Sequence, residues 1–147
     1  MIRILVSGDV IDLAAELAAV EADGAGAIAT FAGLVRADDG VGTLELEHYP
    51  GATEAALSVL AEQAQARWAL LSATIVHRVG AMRPGDRIVF VGVSAPHRSA
   101  ALEACGFLID RLKTDAPFWK RETRGGKPRW VEPRVSDDAA AARWHNN

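Results

Sequence analysis

Apolar residues change their spacing several times along this chain, and each change marks an element. Ile2 to Val6 reads as a first strand, and Leu13, Leu17 and Val20 then fall on one face of a helix. That helix starts near Asp9 or Asp12 and runs to Ala22, with Gly24 placed to end it. Ala25 to Val35 is small and apolar, and a charged, glycine-containing turn follows from Arg36 to Gly42. Beyond it Leu44, Leu46 and His48 alternate with Thr43, Glu45 and Glu47, the pattern of a strand with one wet face. These two segments are expected to pair antiparallel. Thr53 is the expected cap of a long second helix, with Glu54 in its first turn and Leu57, Leu60, Ala61, Ala64 and Trp68 at helical spacing.

Two further strands, Thr74 to Val79 and Arg87 to Ser94, flank Met82-Arg-Pro-Gly-Asp86, which carries a Pro-Gly turn signal. Ile88 to Val93 is almost wholly apolar, so its strand should be central to a sheet. A third helix follows Pro96 and runs to about Lys113, with Leu102, Cys105, Leu108, Ile109 and Leu112 as its apolar stripe. Pro117 prevents it from continuing. Phe118 to Glu122 and Arg129 to Val131 then form a hairpin, and after Arg134 the polar, alanine-rich chain reads as a loose or partner-dependent end. The order βαββαββα with a terminal hairpin predicts an α+β fold over residues 1–147 as one domain. Its sheet is mainly antiparallel, with helices on one face.

Composition narrows the function class. Half of the residues are hydrophobic and 24% are charged, the balance of a globular protein with a full core. A formal net charge of −3 argues against a general nucleic-acid binder, whose phosphate contacts call for a basic face. No apolar run reaches the roughly 18 residues of a membrane span, and the first residues lack the pattern of a signal peptide, so a cytoplasmic location is expected. Basic residues nonetheless gather between Arg111 and Arg134, which suggests a local anion site on an acidic body. The single Cys105 forms no internal disulfide, and no residues have metal-ligand spacing; a buried structural thiol is the expected role.

The candidate chemistry centres on two lysines. Lys113 closes the third helix, and Lys120 follows Pro117, Phe118 and Trp119, which can bury themselves and hold its amine in a drier wall. A helix-capping lysine and an exposed strand lysine are the structural alternatives. His97 and Arg98 follow Pro96 at the start of the third helix, where free backbone N–H groups and the helix dipole favour an anion. Arg36 sits at the end of a strand, where a side chain can point into a cleft. His77-Arg78 lies within a strand and reads as structural, because strand geometry sends the two side chains to opposite faces. Lys127 reads as a turn residue.

Six ordered blocks carry a resemblance. Phe31-Ala-Gly-Leu-Val-Arg36, Leu46-Glu-His-Tyr-Pro-Gly51, Ile75-Val-His-Arg-Val-Gly80, Ser94-Ala-Pro-His-Arg98, Leu112-Lys113 and Ala116-Pro-Phe-Trp-Lys-Arg-Glu122 resemble the large, catalytic subunit family of molybdopterin synthase. The similarity spans nearly the whole chain. It implies an α/β hammerhead fold with a ferredoxin-like portion, a homodimer within a heterotetramer, and no cofactor or metal. It further implies a small ubiquitin-like sulfur-carrier partner with a Gly-Gly C-terminus, whose thiocarboxylate sulfur passes in two rounds to cyclic pyranopterin monophosphate. The product is the dithiolene of molybdopterin. Carried onto this sequence, the substrate-binding positions are Leu34, Val35, Arg36, His97, Arg98, Lys113, Lys120, Arg121 and Glu122, with Arg134 as a further anion-site residue. Lys120 resembles the essential catalytic lysine and Lys113 its companion, while Arg36, His97 and Arg98 would clamp the substrate phosphate. A non-enzymatic module holding a phosphorylated metabolite, and a scaffold that docks another protein, are the competing readings.

Overall fold

The structure, a computed structural model, describes residues 1–36, 41–124, 126–131, 142 and 144. Two four-stranded sheets share the work. The central sheet holds β1 (Ile2–Ser7), β4 (Ser72–Arg78), β6 (Arg87–Ala95) and β2 (Ala27–Leu34), in that spatial order. The second sheet holds β5 (Gly80–Met82), β3 (Val41–His48), β7 (Phe118–Arg124) and β8 (Lys127–Val131). Only the β1–β4 pair is parallel among the pairs described, so the fold is α+β with mainly antiparallel sheets, of the hammerhead type.

The segments expected to pair with each other, β2 and β3, lie in different sheets. β2 runs antiparallel to β6, and β3 lies between β5 and β7. Alternation within β3 correctly marks one wet face, but alternation carries no information about which strand will sit alongside. Partner choice was made by the central strand, whose residues Val89, Val91 and Val93 are buried on one face and Phe90 on the other.

The long helices α2 (Ala52–Trp68) and α3 (Arg98–Asp115) bury Leu57, Leu60, Ala61, Ala64, Ala101, Ala104, Phe107 and Leu108 against one face of the central sheet. Short α1 (Leu13–Val20) covers the other face, where Ile11 and Val20 meet Val76 and Phe90, so the helices do not all lie on one face as expected: the central strand is apolar on both sides and needs cover on both. Asp12 caps α1 by accepting the Ala15 N–H at 3.2 Å. Thr53, in contrast, is not the cap of α2. Gly51 is, in a left-handed conformation with φ of 87°, and Glu54 reaches back to its N–H at 3.1 Å. Thr53 is fully buried, and its hydroxyl donates to the Pro117 carbonyl at 2.8 Å while accepting the Tyr49 N–H at 3.0 Å.

A third cluster, Val35, Leu44, Leu46 and Met82, lies between the two sheets. It matters because the chain crosses from one sheet to the other at this end. In the tail expected to be loose, Trp144 packs edge-on against Trp68 and Phe107 and donates its indole N–H to Asp110 at 2.8 Å. No helix among the described residues is long and apolar enough to cross a membrane.

Candidate active site

β7 pairs with β3 so that Phe118 faces His48, Lys120 faces Leu46 and Glu122 faces Leu44. Directly opposed residues share a face, so Phe118, Lys120 and Glu122 line the inner side of the second sheet with the buried Leu44 and Leu46. Trp119 and Arg121 take the outer side. There Trp119 meets Tyr49 at 4.1 Å between ring centroids, and Arg121 forms an ion pair with Glu45 while lying over Trp130. Arg121 is thereby separated from the Lys120 face by strand alternation.

The drier wall expected around Lys120 is only half built. Phe118 is partly buried, but Trp119 is 41% and Trp130 55% exposed, and Lys120 itself is exposed. The reason is again alternation: adjacent aromatics on one strand cannot screen the same side. Screening on the inner face comes from His77 of β4, whose ring stacks on Phe118 with centroids 4.0 Å apart and planes at 26°.

His77 is 6% exposed, and burial is the chief cause of a pKa lowered from 6.5 to about 4. The charges of Lys120, Lys113 and His48 push in the same direction, partly offset by the hydrogen bond to the Arg78 carbonyl. The charges of Lys113, at the end of α3, and Lys120, on β7, thus both act on one buried ring. Leu34, Val35 and Arg36 reach the same end of the molecule. Val35 packs with Leu46, the cross-strand neighbour of Lys120, and is pinned by hydrogen bonds to the turn at Gly85 and Asp86. Leu34 and Arg36 flank it, exposed.

His97 and Arg98 do not join them. His97 is the N-cap of α3 and Arg98 its first residue, both exposed, and no side chain caps that end. α3 then returns along the sheet to Lys113, so Arg98 and Lys113 are about 22 Å apart along one helix axis. Gly26 marks that far end. A Cβ there would lie 2.2 Å from the Pro96 carbonyl oxygen, so only glycine lets β2 start beside the β6–α3 junction. Arg134 lies outside the described residues.

Sequence reasoning took His77 as structural, which its burial bears out, and gave His48 only a place in the strand's alternation, so neither was linked to the lysines. Both stand in blocks that carried the resemblance, Ile75–Gly80 and Leu46–Gly51, and that was the available signal. Cys105 meets its expectation: it is buried, and burial raises its thiol to about 11. It borders an apolar hollow of about 420 Å³ with Ile28, Phe31, Leu102 and Ile109, between β2 and α3 rather than at the lysines. No cluster of metal-ligating side chains occurs among the described residues.

Comparison with known proteins identifies the family. Residues 6–115 match the family model described as MoaE protein. The molybdopterin synthase catalytic subunit of Escherichia coli (strain K12) is 54% identical over 127 residues, covering 84% of this chain and 85% of that protein. The catalytic subunit of Pseudomonas aeruginosa is 55% identical over 124 residues, 82% of this chain and 83% of the other. Among solved structures, the molybdopterin biosynthesis MoaE protein from Burkholderia ambifaria MC40-6 superposes with a TM-score of 0.85 at 50% identity, covering 98% of both chains. A chain of the complex of subunits 1 and 2 of molybdopterin-converting factor from Helicobacter pylori 26695 shares the fold at a TM-score of 0.75 and 22% identity, over 90% of this chain and 91% of that one. On the family match and these identities, the chain belongs to the MoaE protein family, the molybdopterin synthase catalytic subunits of molybdenum cofactor biosynthesis.

Proposed function

We propose that this chain is a cytoplasmic sulfurtransferase that takes sulfur from the C-terminal thiocarboxylate of a small ubiquitin-like carrier and passes it to cyclic pyranopterin monophosphate. Two rounds give the molybdopterin dithiolene. The observation that carries the reading is that the charges of Lys113 and Lys120 both act on the buried His77, whose ring stacks on Phe118, two residues before Lys120 on the same side of β7. Two ammonium groups there suit the anions the reaction needs, a thiocarboxylate and a phosphate, and they stabilise charge that develops on the acyl group. Lys120 serves as the catalytic amine and Lys113 as its companion. The exposed face of Lys120 is where a Gly-Gly tail would lie, and the tail itself would complete the desolvation that Trp119 does not provide. Sulfur arrives on the partner, which accords with a sole cysteine that is buried and hard to ionise.

Leu34, Arg36 and Glu122 would contact the substrate beside these lysines, with the buried Val35 packed beneath them against Leu46, and Arg121 supports the strand from behind through Glu45. His97 and Arg98 are too far along α3 to grip the same phosphate as Arg36 within one chain. In the homodimer, with a carrier on each protomer, they serve the neighbouring protomer's site. Arg134 is a further anion-site residue of that assembly.

The test is a reconstitution: purified chain, thiocarboxylated carrier and pterin precursor, with dithiolene product measured. Lys120→Ala should bind carrier and pterin within about 2-fold of wild type while kcat falls by about 100-fold or more. A chain that binds pterin but gives no product with competent carrier is a binding module, and one that ignores pterin is a scaffold. Either result rules the reading out.

A further inference from the structure

In the sulfurtransferase reading the His77 imidazole has no task, although the charges of both lysines act on it. It belongs to β4, on the face that carries the buried Ala73 and Ile75, and it ends that row beside the second sheet. Nδ1 lies 3.0 Å from the Arg78 carbonyl oxygen. A carbonyl can only accept, so Nδ1 carries the proton, and in a neutral ring Nε2 is left with a lone pair. No hydrogen bond to Nε2 is formed among the described residues.

Among the described residues, the charges that act on the ring are cations or potential cations: Lys120 of β7, Lys113 of α3 and His48 of β3. Arg78, the next residue, turns to the opposite face and lies 3.8 Å from Asp86. Among such groups a neutral acceptor has a use that a carboxylate lacks. It can take a hydrogen bond from an ammonium without cancelling the charge that an anionic substrate requires. The ring also fixes position, because it stacks on Phe118, and Phe118 and Lys120 project from the same side of β7 two residues apart.

We propose that His77 is a positioning residue for the sulfur transfer, its Nδ1–H tautomer offering Nε2 as the acceptor that aims the Lys120 ammonium. This rests on Lys120 being the catalytic amine. The stack on Phe118 fixes the start of β7 against β4, and Nε2 sets the direction of the amine.

Two experiments decide it. Long-range ¹H–¹⁵N correlation on the histidine-labelled wild-type chain at neutral pH should find Nδ1 protonated and Nε2 bare; a cationic ring or the reversed tautomer overturns the proposal. In the reconstituted complex, His77→Phe keeps an aromatic ring against Phe118 but removes the nitrogens, and His77→Gln restores a polar group near the position of Nε2. With folding verified by thermal denaturation, H77F should lower kcat about 10- to 100-fold while KM for carrier and pterin stays within about 2-fold. H77Q should recover most of the loss. Wild-type turnover in H77F, or an H77Q no better than H77F, overturns the acceptor role, and if the variants fail to fold the tautomer measurement still decides. An inactive wild-type complex sinks the sulfurtransferase reading itself, whereas an active H77F sinks this inference alone.

Discussion

His77 shows how a residue can be read correctly for its setting and missed for its use. Strand alternation places it opposite Arg78, and the structure agrees, yet alternation within one strand says nothing of what the facing sheet brings near. Three potential cations arrive from β7, α3 and β3, elements separated from His77 by up to dozens of residues in sequence. The consequence is measurable as stability. Above about pH 6.5 the ring is neutral both folded and unfolded, so it adds no pH dependence. As pH falls from 6.5 toward 4 the unfolded chain takes the proton first, and stability drops by about 3 kcal/mol before levelling below 4. Urea denaturation of wild type and H77F at pH 7 and pH 4.5 should therefore show wild type losing more stability on acidification. An equal loss in both would remove the case for a buried, neutral ring.

Among the elements, β7 and the start of α2 illustrate what periodicity captures. The apolar stripes of α2 and α3 were legible because a helix must bury one face, and the hairpin was legible from its turn residues. The role of Thr53 was not. A threonine just before an apolar helical run satisfies the rule for a cap, but a glycine two residues earlier adopts the positive φ that starts the helix, which frees Thr53 for the interior. Its hydroxyl then ties the turn before β7 to α2 through the Pro117 carbonyl. Thr53→Val keeps the shape and removes both hydrogen bonds, leaving the Tyr49 N–H and the Pro117 carbonyl without that partner. Stability should fall by about 1–3 kcal/mol in urea denaturation. A loss within about 0.3 kcal/mol would mean the hydroxyl is not holding the strand's entry.

At the scale of the molecule, the two ends of α3 pose the question of assembly. One end delivers Lys113 to the lysine cluster, and the other carries His97 and Arg98 about 22 Å away. If those residues serve a neighbouring protomer, Lys120→Ala and Arg98→Ala should complement each other. Each single variant homodimer loses activity. Mixed dimers place both lesions in one site and leave the other site intact, so activity should recover to about a quarter of wild type when equal amounts are randomly reassorted. No recovery after verified subunit exchange would place the whole anion site within one protomer. The sequence by itself determined the elements apart from the short β5, the α+β class, the buried thiol and the choice of candidate lysines, because these follow from periodicity, turn chemistry and residue type, all of them local. Only the tertiary structure decided that β2 and β3 part company, that Lys120 looks inward while Arg121 looks out, that the charges of both lysines act on His77, and that Arg98 lies far along α3 from Lys113. Pairing and convergence depend on contacts between distant segments, and those are set by how faces are buried together rather than by any spacing along the chain.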